Sequence, residues 1–267
     1  MHRFALAISC AVFALITFAR ADDWSKTFDL TGKPELRVEA SDANIQIDPW
    51  DQNKIEARVT TRGWHIGTGG QVEIVEHQQG NAVEIEIREH SNLHISIGID
   101  TRRIDVAIHM PRNGKVDVQT GDGHIEARGL AGDLSFKSGD GRVELADLDG
   151  NVRAKTGDGA LHVSGRFDRV ELGSGDGRVE LEVRHGSRVS EDWEVRTSDG
   201  GVRVSLPTDL AANLNLHTGD GHITTDIPVT VQGKYDHSNV HGTINGGGKE
   251  LRIHTGDGSI TVEKSGM

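Results

Sequence analysis

The chain has 267 residues, with 41 acidic and 29 basic side chains, and carries a net charge of −12 when its histidines are neutral. This acidity argues against nucleic acid or an anionic membrane as a partner, and the single cysteine excludes an intrachain disulfide. Aromatic residues make up only 4% of the chain, which is low for a large conventional core, whereas 34 glycines indicate many tight turns.

Residues 1–21 have the features of a secretory signal peptide. A short basic start precedes an apolar run over residues 4–18, and Ala19-Arg20-Ala21 has the small-x-small pattern of a signal-peptidase site. The run is too short to span a membrane, and no second apolar segment follows it, so we expect no membrane span after cleavage. Cys10 lies inside the run, which argues against lipid attachment. We therefore predict an exported protein, either periplasmic or extracellular.

Residues 22–110 are predicted to form an N-terminal β region. Apolar and polar residues alternate in short runs separated by polar turns, which is typical of half-buried strands. The runs are LRVEA, IQID, VEIV, VEIEIR, ISIGI and IDVAI. No helical periodicity follows the signal peptide, so the predicted fold class is all-β.

Residues 111–267 are dominated by a repeat built on Gly-Asp-Gly. The central aspartates are Asp122, Asp140, Asp158, Asp176, Asp199, Asp220 and Asp257, with spacings of 18, 18, 18, 23, 21 and 37 residues. A fixed period indicates stacked units rather than one globular core. We interpret the spacings of 23 and 21 as units with longer corners, and the spacing of 37 as two units.

Aligning the units on the aspartate places apolar residues in columns. The columns are Ile125, Val143, Leu161 and Val179; Ala127, Leu145, Val163 and Leu181; Leu134, Val152 and Val170; and Phe136, Ala154 and Leu172. Eighteen residues accommodate two strands of about five residues and two tight turns. The predicted fold is therefore a two-sided β-solenoid, a β-roll with about 18 residues per coil, which the N-terminal β region continues or caps.

The glycines of these motifs are predicted to be structural turn residues. They are Gly121, Gly123, Gly139, Gly141, Gly157, Gly159, Gly175, Gly177, Gly219, Gly221, Gly256 and Gly258. Glycine tolerates the positive φ that a tight corner needs, and the aspartate between two glycines can accept a hydrogen bond from the amide two residues further on.

Three stretches, residues 36–60, 103–129 and 243–262, resemble the bacterial putative-adhesin family of β-repeat proteins, whose function is unknown. They contain the degenerate SDA repeat followed by a Trp-Asp turn, the segment IDVAIHMPRNGKVDVQTGDGHIEARG, and the segment TINGGGKELRIHTGDGSITV. The resemblance covers most of the mature chain. It implies an exported β-solenoid without a known active site, and it supplies no catalytic residues.

The aspartate column raises the alternative of a calcium-binding β-roll, with Asp122, Asp140, Asp158 and Asp176 as candidate ligands. Calcium-loaded rolls place the aspartate two residues before the apolar position, whereas Asp122 lies three residues before Ile125. We therefore expect the aspartates to act as turn residues, and we predict no metal and no cofactor.

Four histidines lie next to these turns: His217 and His254 precede the motif, and His124 and His222 follow it. A zinc or copper site would need three or four converging ligands, so outward strand positions are the simpler explanation.

Four aromatic residues, Trp50, Trp64, Trp193 and Tyr235, could stack on sugar rings. They are scattered over different segments, and we expect Trp193 to fill the core or a corner. The glycine-rich residues 66–71 are predicted to form a hairpin turn, because no helix and no Lys-Ser/Thr pair follows them.

No catalytic motif is present in the mature chain, which lacks a cysteine nucleophile, a GxSxG elbow and an HExxH helix. We predict a non-catalytic envelope scaffold or adhesin-like module that binds an envelope polysaccharide or protein through its surface. The alternative is a polysaccharide-active β-helix enzyme, and a lesser alternative is the calcium-binding β-roll.

The binding surface is predicted to consist of outward rows repeated along the stack. One row contains Glu126, Glu144 and Glu180, and the next contains His124, Arg142 and Arg178. Residues 259–262 are predicted to form an open edge strand that could pair edge to edge with a second chain.

Overall fold

A computed structural model describes residues 21–90, 102–231 and 236–266. Every regular element in these residues is a β-strand, so they contain no helix that could cross a membrane. The strands are β1 (Ala21–Asp29), β2 (Glu35–Ala40), β3 (Ala43–Trp50), β4 (Lys54–Arg62), β5 (Val72–Gln79), β6 (Ala82–Glu89), β7 (Arg103–Pro111), β8 (Asn113–Thr120), β9 (Ile125–Arg128), β10 (Ala131–Lys137), β11 (Val143–Lys155), β12 (Leu161–Gly173), β13 (Val179–Val183), β14 (Trp193–Thr197), β15 (Val202–Leu206), β16 (Ala212–Thr218), β17 (Ile223–Thr225), β18 (Thr230–Val231), β19 (Asn239–Ile244), β20 (Glu250–Thr255) and β21 (Ile260–Lys264).

The strands form two hydrogen-bonded ladders. The first ladder contains, in spatial order, β5, β6, β2, β8, β10, the second halves of β11 and β12, β14, β20, β16, β19 and β18. The second ladder contains β1, β4, β7, β3, β9, the first halves of β11 and β12, β13, β15, β21 and β17. Strands β11 and β12 belong to both ladders because each is 13 residues long and turns the corner between them.

The central strands pair in parallel, and their buried partners are 18 residues apart on both sides of a register shift at the corner of β11 and β12. The successive partners are Ile125, Val143, Leu161 and Val179 in the second ladder, and Leu134, Val152 and Val170 in the first. These residues are all at most 4% exposed. The alignment on the aspartates therefore placed the apolar columns correctly.

The columns from both ladders meet in one hydrophobic core. Because successive side chains of a strand point to opposite sides, every second residue is buried, as in β8, where four of eight residues are buried. The large aromatic members are Phe28, Phe136, Phe167 and Trp193, which are at most 2% exposed. Each fully buried Val, Leu or Ile contributes about 1.5–3 kcal/mol.

We define a layer as one first-ladder strand, the corner that follows it, and the next second-ladder strand. The layers from β8 to β15 stack in chain order, but those nearer the two ends do not. Residues 35–50 (β2 and β3) lie between the strands of residues 82–111 and those of residues 113–128. Residues 250–264 (β20 and β21) lie between the strands of residues 193–206 and those of residues 212–225.

The interpretation that the unit of Asp220 stacks directly on the unit of Asp199 is therefore wrong, because the layer that carries Asp257 lies between them. Leu251 pairs with Trp193 on one side and with Leu214 on the other. The three C-terminal layers carry the same alternation of apolar residues and the same corner motif, so their sequences do not specify which layers become neighbours.

The prediction that residues 259–262 form an open edge is also wrong, because β21 is paired on both sides. The outermost strands at this end of the described ladders are β17, with three residues, and β18, with two. Strands this short offer few free backbone groups for pairing with another chain.

Two further predicted segments lie in the N-terminal half. Residues 66–71 form a turn in which the amide of Gly70 donates to the carbonyl oxygen of Gly67 at 2.8 Å. The turn is not the predicted hairpin, because Ile66 and Val72 form a parallel bridge across it. The predicted strand ISIGI, residues 95–99, lies outside the described residues.

Candidate functional site

The twelve glycines predicted as turn residues lie at the corner where each first-ladder strand passes into a second-ladder strand. None of them has a positive φ. A Cβ added to Gly141 would lie 1.9 Å from the carbonyl oxygen of Gly123, and one added to Gly177 would lie 1.9 Å from that of Gly159. The proposed reason for these glycines is therefore wrong, because close packing of successive backbones, and not backbone conformation, requires them.

Positive φ angles occur at the opposite corner of the central layers. Gly129 has a φ of 63°, Gly132 of 123° and Gly150 of 107°, and the non-glycine residue Asp147 has a φ of 58°. At this corner a positive φ adds to close packing, since a Cβ on Gly132 would also lie 2.1 Å from the carbonyl oxygen of Gly114.

Buried hydroxyl groups complete the hydrogen bonding at the Gly-Asp-Gly corner. This hydroxyl ladder contains, in spatial order, Thr120, Ser138, Thr156, Ser174, Thr197, Thr255 and Thr218, each at most 8% exposed. Ser138 Oγ accepts a hydrogen bond from the amide of Gly141 at 3.0 Å and donates to the carbonyl oxygen of Gly123 at 2.8 Å. The bonding role predicted for the aspartates therefore belongs to the hydroxyl residue at the start of each motif. The signal was visible, since Ser or Thr opens all seven motifs.

The candidate calcium ligands Asp122, Asp140, Asp158 and Asp176 are exposed and point outward from this corner. Among the described residues, no group of three or more His, Cys, Asp or Glu side chains could hold a metal ion. The aspartates form a line of negative charge with a spacing of about 4.8 Å between neighbouring strands.

The histidines that precede the motif become direct neighbours. The rings of His217 and His254 stack with centroids 5.2 Å apart and planes inclined by 5°. This contact exists because β20 lies beside β16, which the order of the motifs along the chain does not indicate. The histidines that follow the motif, His124 and His222, lie on the second-ladder side of the corner.

The tryptophans do not line one surface. Trp193 is fully buried, which confirms that it fills the core. Trp50 stacks on His109 with ring centroids 5.5 Å apart, and the guanidinium of Arg102 lies 5.8 Å from the ring centroid of Trp64. The fourth aromatic candidate, Tyr235, lies outside the described residues.

The outer surface of the second ladder contains the predicted row of glutamates. The row runs Glu126, Glu144, His162, Glu180 and Arg203 in direct register. The basic residues beside it are paired with it: Arg142 lies 3.3 Å from Glu144, and Arg178 lies 3.7 Å from Glu180. Charges on this surface therefore largely neutralise one another.

The outer surface of the first ladder contains a row that the sequence analysis missed. The outward residues directly before the hydroxyl ladder are Gln119, Lys137, Lys155, Gly173, Arg196, His254 and His217, in direct register. We call the run from Lys137 to His217 the cationic row, because Lys137, Lys155 and Arg196 give it positive charge. Its continuity depends on the out-of-order stacking, because Arg196 and His254 lie 58 residues apart in the chain.

A shallow, open depression of about 230 Å³ lies beside the cationic row. It forms where the short side chain of Ser135 stands between Asp117 and Arg153 in register. Its polar lining also includes Lys115, Asp133, Asn151, Arg169 and Glu171. The depression thus combines donors, acceptors and charges of both signs.

Glu171 connects the depression to the cationic row. Its carboxylate lies 2.7 Å from Arg153 and 2.8 Å from Lys155. Burial raises the pKa of Glu171, but the hydrogen bond and charge of Lys155 together with Arg153 outweigh burial and hold the pKa below its ordinary value. Two cations share this carboxylate, so a net positive charge remains there.

Solved structures with similar chain traces come from bacterial proteins of low sequence identity. A putative cell adhesion protein from Clostridium sporogenes has 15% identity and a TM-score of 0.43, with 92% of this chain and 100% of that chain covered. A putative adhesin from Bacteroides fragilis has 10% identity and a TM-score of 0.44, with 90% and 97% covered. A putative lipid binding protein from Parabacteroides distasonis has 9% identity and a TM-score of 0.29, with 91% and 98% covered.

A comparison with curated proteins gives no significant match. A comparison with protein families gives a match: the family model described as Toastrack DUF4097 covers residues 34–263. The matched region runs from β2 to β21, the first and last strands of the two inserted layers. The chain therefore belongs to the Toastrack DUF4097 family.

Proposed function

We propose that the chain is a non-catalytic, exported protein that acts as an adhesin-like binding module or scaffold in the cell envelope. In this proposal, residues 1–21 are removed as a signal peptide. Residues 22–110 and 111–267 together build one two-sided β-solenoid, with coils of about 18 residues over the central repeat.

The observation that supports a binding role is the outer surface of the first ladder, where the cationic row borders an open depression. Its groups recur at the spacing of the strands. Such a surface suits a repetitive partner, such as a polysaccharide or an extended protein, better than a small molecule, which binds in a concave and mostly apolar pocket.

The alternative of a polysaccharide-active enzyme receives less support from the carboxylates of the depression. A glycosidase needs a general acid with a raised pKa, whereas the pKa of Glu171 is lowered. Asp133 accepts a hydrogen bond from Asn151 at 2.8 Å. Glu171 therefore lacks the environment of a proton donor.

The binding role is tested by incubating the purified mature chain with envelope fractions and with soluble envelope polysaccharides. We expect retention on the envelope fraction that weakens as salt is added, and no new reducing ends from the polysaccharides. Turnover that one Asp or Glu substitution in the depression abolishes, without loss of the fold, would establish the enzyme instead.

Export is tested by intact-mass measurement of the protein from the periplasm and the medium. We expect a chain that begins at Asp22, and material that still begins at Met1 would contradict the proposal. The calcium alternative is tested by chelation, which we expect to leave the β-sheet circular dichroism signal unchanged.

A further inference from the structure

We propose that the first-ladder surface binds an acidic polysaccharide whose carboxylates recur along the chain, with the polymer lying along the stacking direction. This inference rests on the proposed binding function and names the ligand class. The surface is the cationic row together with the depression at Ser135.

Direction and spacing of the row favour an extended polymer. The row crosses six neighbouring strands from Lys137 to His217, a length of about 24 Å at about 4.8 Å per step. A sugar unit in an extended polysaccharide covers a length close to one such step. Consecutive uronate carboxylates can therefore lie opposite consecutive positions of the row.

Positive charge in the row is incompletely neutralised. Lys137 has no ion pair among the described residues. Lys155 shares Glu171 with Arg153, and Arg196 lies 3.8 Å from Glu194, a separation typical of a weak exposed pair. A polyanion can therefore gain attraction here without breaking strong internal pairs.

The neighbouring features limit where the polymer can lie. On one side, the exposed corner aspartates, such as Asp140 and Asp158, repel a polyanion. On the other side, the depression offers the hydroxyl of Ser135 and the polar groups of Asp117 and Asn151 to sugar hydroxyls. The polymer is therefore directed onto the strip between the corner and the depression.

Gly173 keeps two cations close together in the middle of this strip. It occupies the row position between Lys155 and Arg196 and is buried. A Cβ there would lie 3.8 Å and 3.6 Å from atoms of their side chains, so a larger residue would separate them. The glycine therefore lets the two side chains present neighbouring positive charges to a polymer.

The second ladder provides the matched comparison. Its outward row carries three glutamates and one arginine in register, Glu126, Glu144, Glu180 and Arg203. The row from Lys137 to His217 on the first ladder carries two lysines and one arginine and no carboxylate. The glutamates of the second ladder repel a polyanion. We therefore expect the acidic polysaccharide to bind the first ladder and not the second.

The experiment measures binding of immobilised polygalacturonate to the mature protein and to two triple variants of equal charge change. The test variant is Lys137→Gln, Lys155→Gln and Arg196→Gln, and the control variant is Arg142→Gln, Arg178→Gln and Arg203→Gln. Carboxyl-reduced polygalacturonate provides the uncharged ligand control, and circular dichroism checks that both variants fold.

We expect the parent and the control variant to bind polygalacturonate, the test variant to bind about tenfold more weakly or worse, and the reduced polymer not to bind. Equal loss in both variants would overturn the assignment to the first ladder. Binding to anionic phospholipid vesicles without binding to polygalacturonate would overturn the ligand class.

The outcomes also separate this inference from the proposed function. If the protein is retained by envelope fractions but not by polygalacturonate, the inference fails and the binding function stands. If it is retained by neither, both fail. The full mature chain is used throughout, so no arm depends on the folding of a fragment.

Discussion

The middle of the molecule and its two ends are built from the same layer but are assembled differently. Residues 113–206 stack in chain order, whereas residues 35–50 and residues 250–264 are each inserted between two other layers. The inserted layers contain the strands closest to the ends of the matched region and are paired on both sides. The comparison shows that the repeat specifies a layer and its corner, while the order of layers is a separate property.

Insertion protects segments that would otherwise fray. A strand at the end of a stack is paired on one side only and loses contacts at low free-energy cost. In this chain, Leu251, Ile253, Ile260 and Val262 of the inserted C-terminal layer are all fully buried. The first ladder ends instead at β5 and β18, which are both paired antiparallel. The second ladder ends at β1, which is paired antiparallel, and at β17, which is paired in parallel.

The largest effect is expected from deletions in the middle of the stack. Removing residues 138–155 deletes one register step of 18 residues and should leave a shorter protein that unfolds cooperatively. Removing only residues 138–146 deletes a second-ladder strand and joins the first ladder directly to the opposite corner, so it should abolish cooperative unfolding. Urea denaturation followed by circular dichroism distinguishes the two, and similar transitions would contradict the layer structure.

Replacing a corner glycine with alanine should lower the free energy of unfolding equally in the middle of the stack and in the inserted layer. Gly141→Ala and Gly258→Ala each place a Cβ within 2.0 Å of a backbone carbonyl oxygen, and each should lower the free energy of unfolding by more than about 4 kcal/mol. The control is Gly246→Ala, where nothing lies within 4 Å and only a φ of +87° opposes the change, at about 1 kcal/mol. Equal losses at all three positions, measured by urea denaturation, would refute the role of backbone packing.

The out-of-order stacking can be tested by disulfide formation in a chain that lacks Cys10. Glu194→Cys with Arg252→Cys joins direct partners and should form a disulfide that stabilises the fold by up to about 4 kcal/mol. Glu194→Cys with Asn215→Cys should stay reduced, because β20 lies between their strands. Mass spectrometry under mild oxidation gives the result. Preferential formation of the second disulfide would show that the layers stack in chain order.

The hydroxyl ladder should contribute equally to the free energy of unfolding in the middle of the stack and in the inserted layer. Thr156→Val and Thr255→Val keep the side-chain shape but remove the hydroxyl that bonds a carbonyl oxygen of the next layer at 3.0 Å and 2.9 Å. Each should cost about 1–3 kcal/mol of unfolding free energy, because a buried polar group loses its partner. Thr261→Val, at an outward position of the inserted layer, should change stability by less than about 0.5 kcal/mol. A comparable loss of stability in Thr261→Val would contradict the assignment of the effect to the buried hydroxyl groups.

The smallest effect concerns the pH dependence of the first-ladder surface. Because the pKa of Glu171 is lowered by folding, its carboxylate stabilises the protein above the unfolded value of about 4.3, and this stabilisation is lost as the pH falls through the folded pKa. Glu171→Gln should therefore flatten the decline in stability between about pH 5 and pH 3. The control is Glu194→Gln, which removes one negative charge from the same row and keeps the contacts of Glu171 with Arg153 and Lys155. Parallel slopes for parent and Glu171→Gln would contradict the assignment.

Local sequence determined the layer itself. The alternation of apolar residues set which side chains are buried, as in the column from Ile125 to Val179, because strand residues alternate between two faces. The repeat spacing set the central register, and the recurring Ser or Thr before each motif carried the hydroxyl ladder, although its role had been given to the aspartates. These features depend on contacts within one layer or between adjacent copies of the same pattern.

Tertiary structure alone decided the order of the layers and the surface that follows from it. The layers whose corners contain Thr197, Thr218 and Thr255 have equivalent apolar columns and corner motifs. Local pairing energies therefore do not distinguish one spatial order of these layers from another. Placing β20 beside β14 brings Arg196 next to His254 and extends the cationic row to β16. Parallel strands can be joined by connections of any sufficient length, and the chain from residue 226 to residue 249 is long enough to return past a layer. The spacing of the motifs therefore fixes how each layer folds, whereas the packing of whole layers fixes which charges meet on the outer surface.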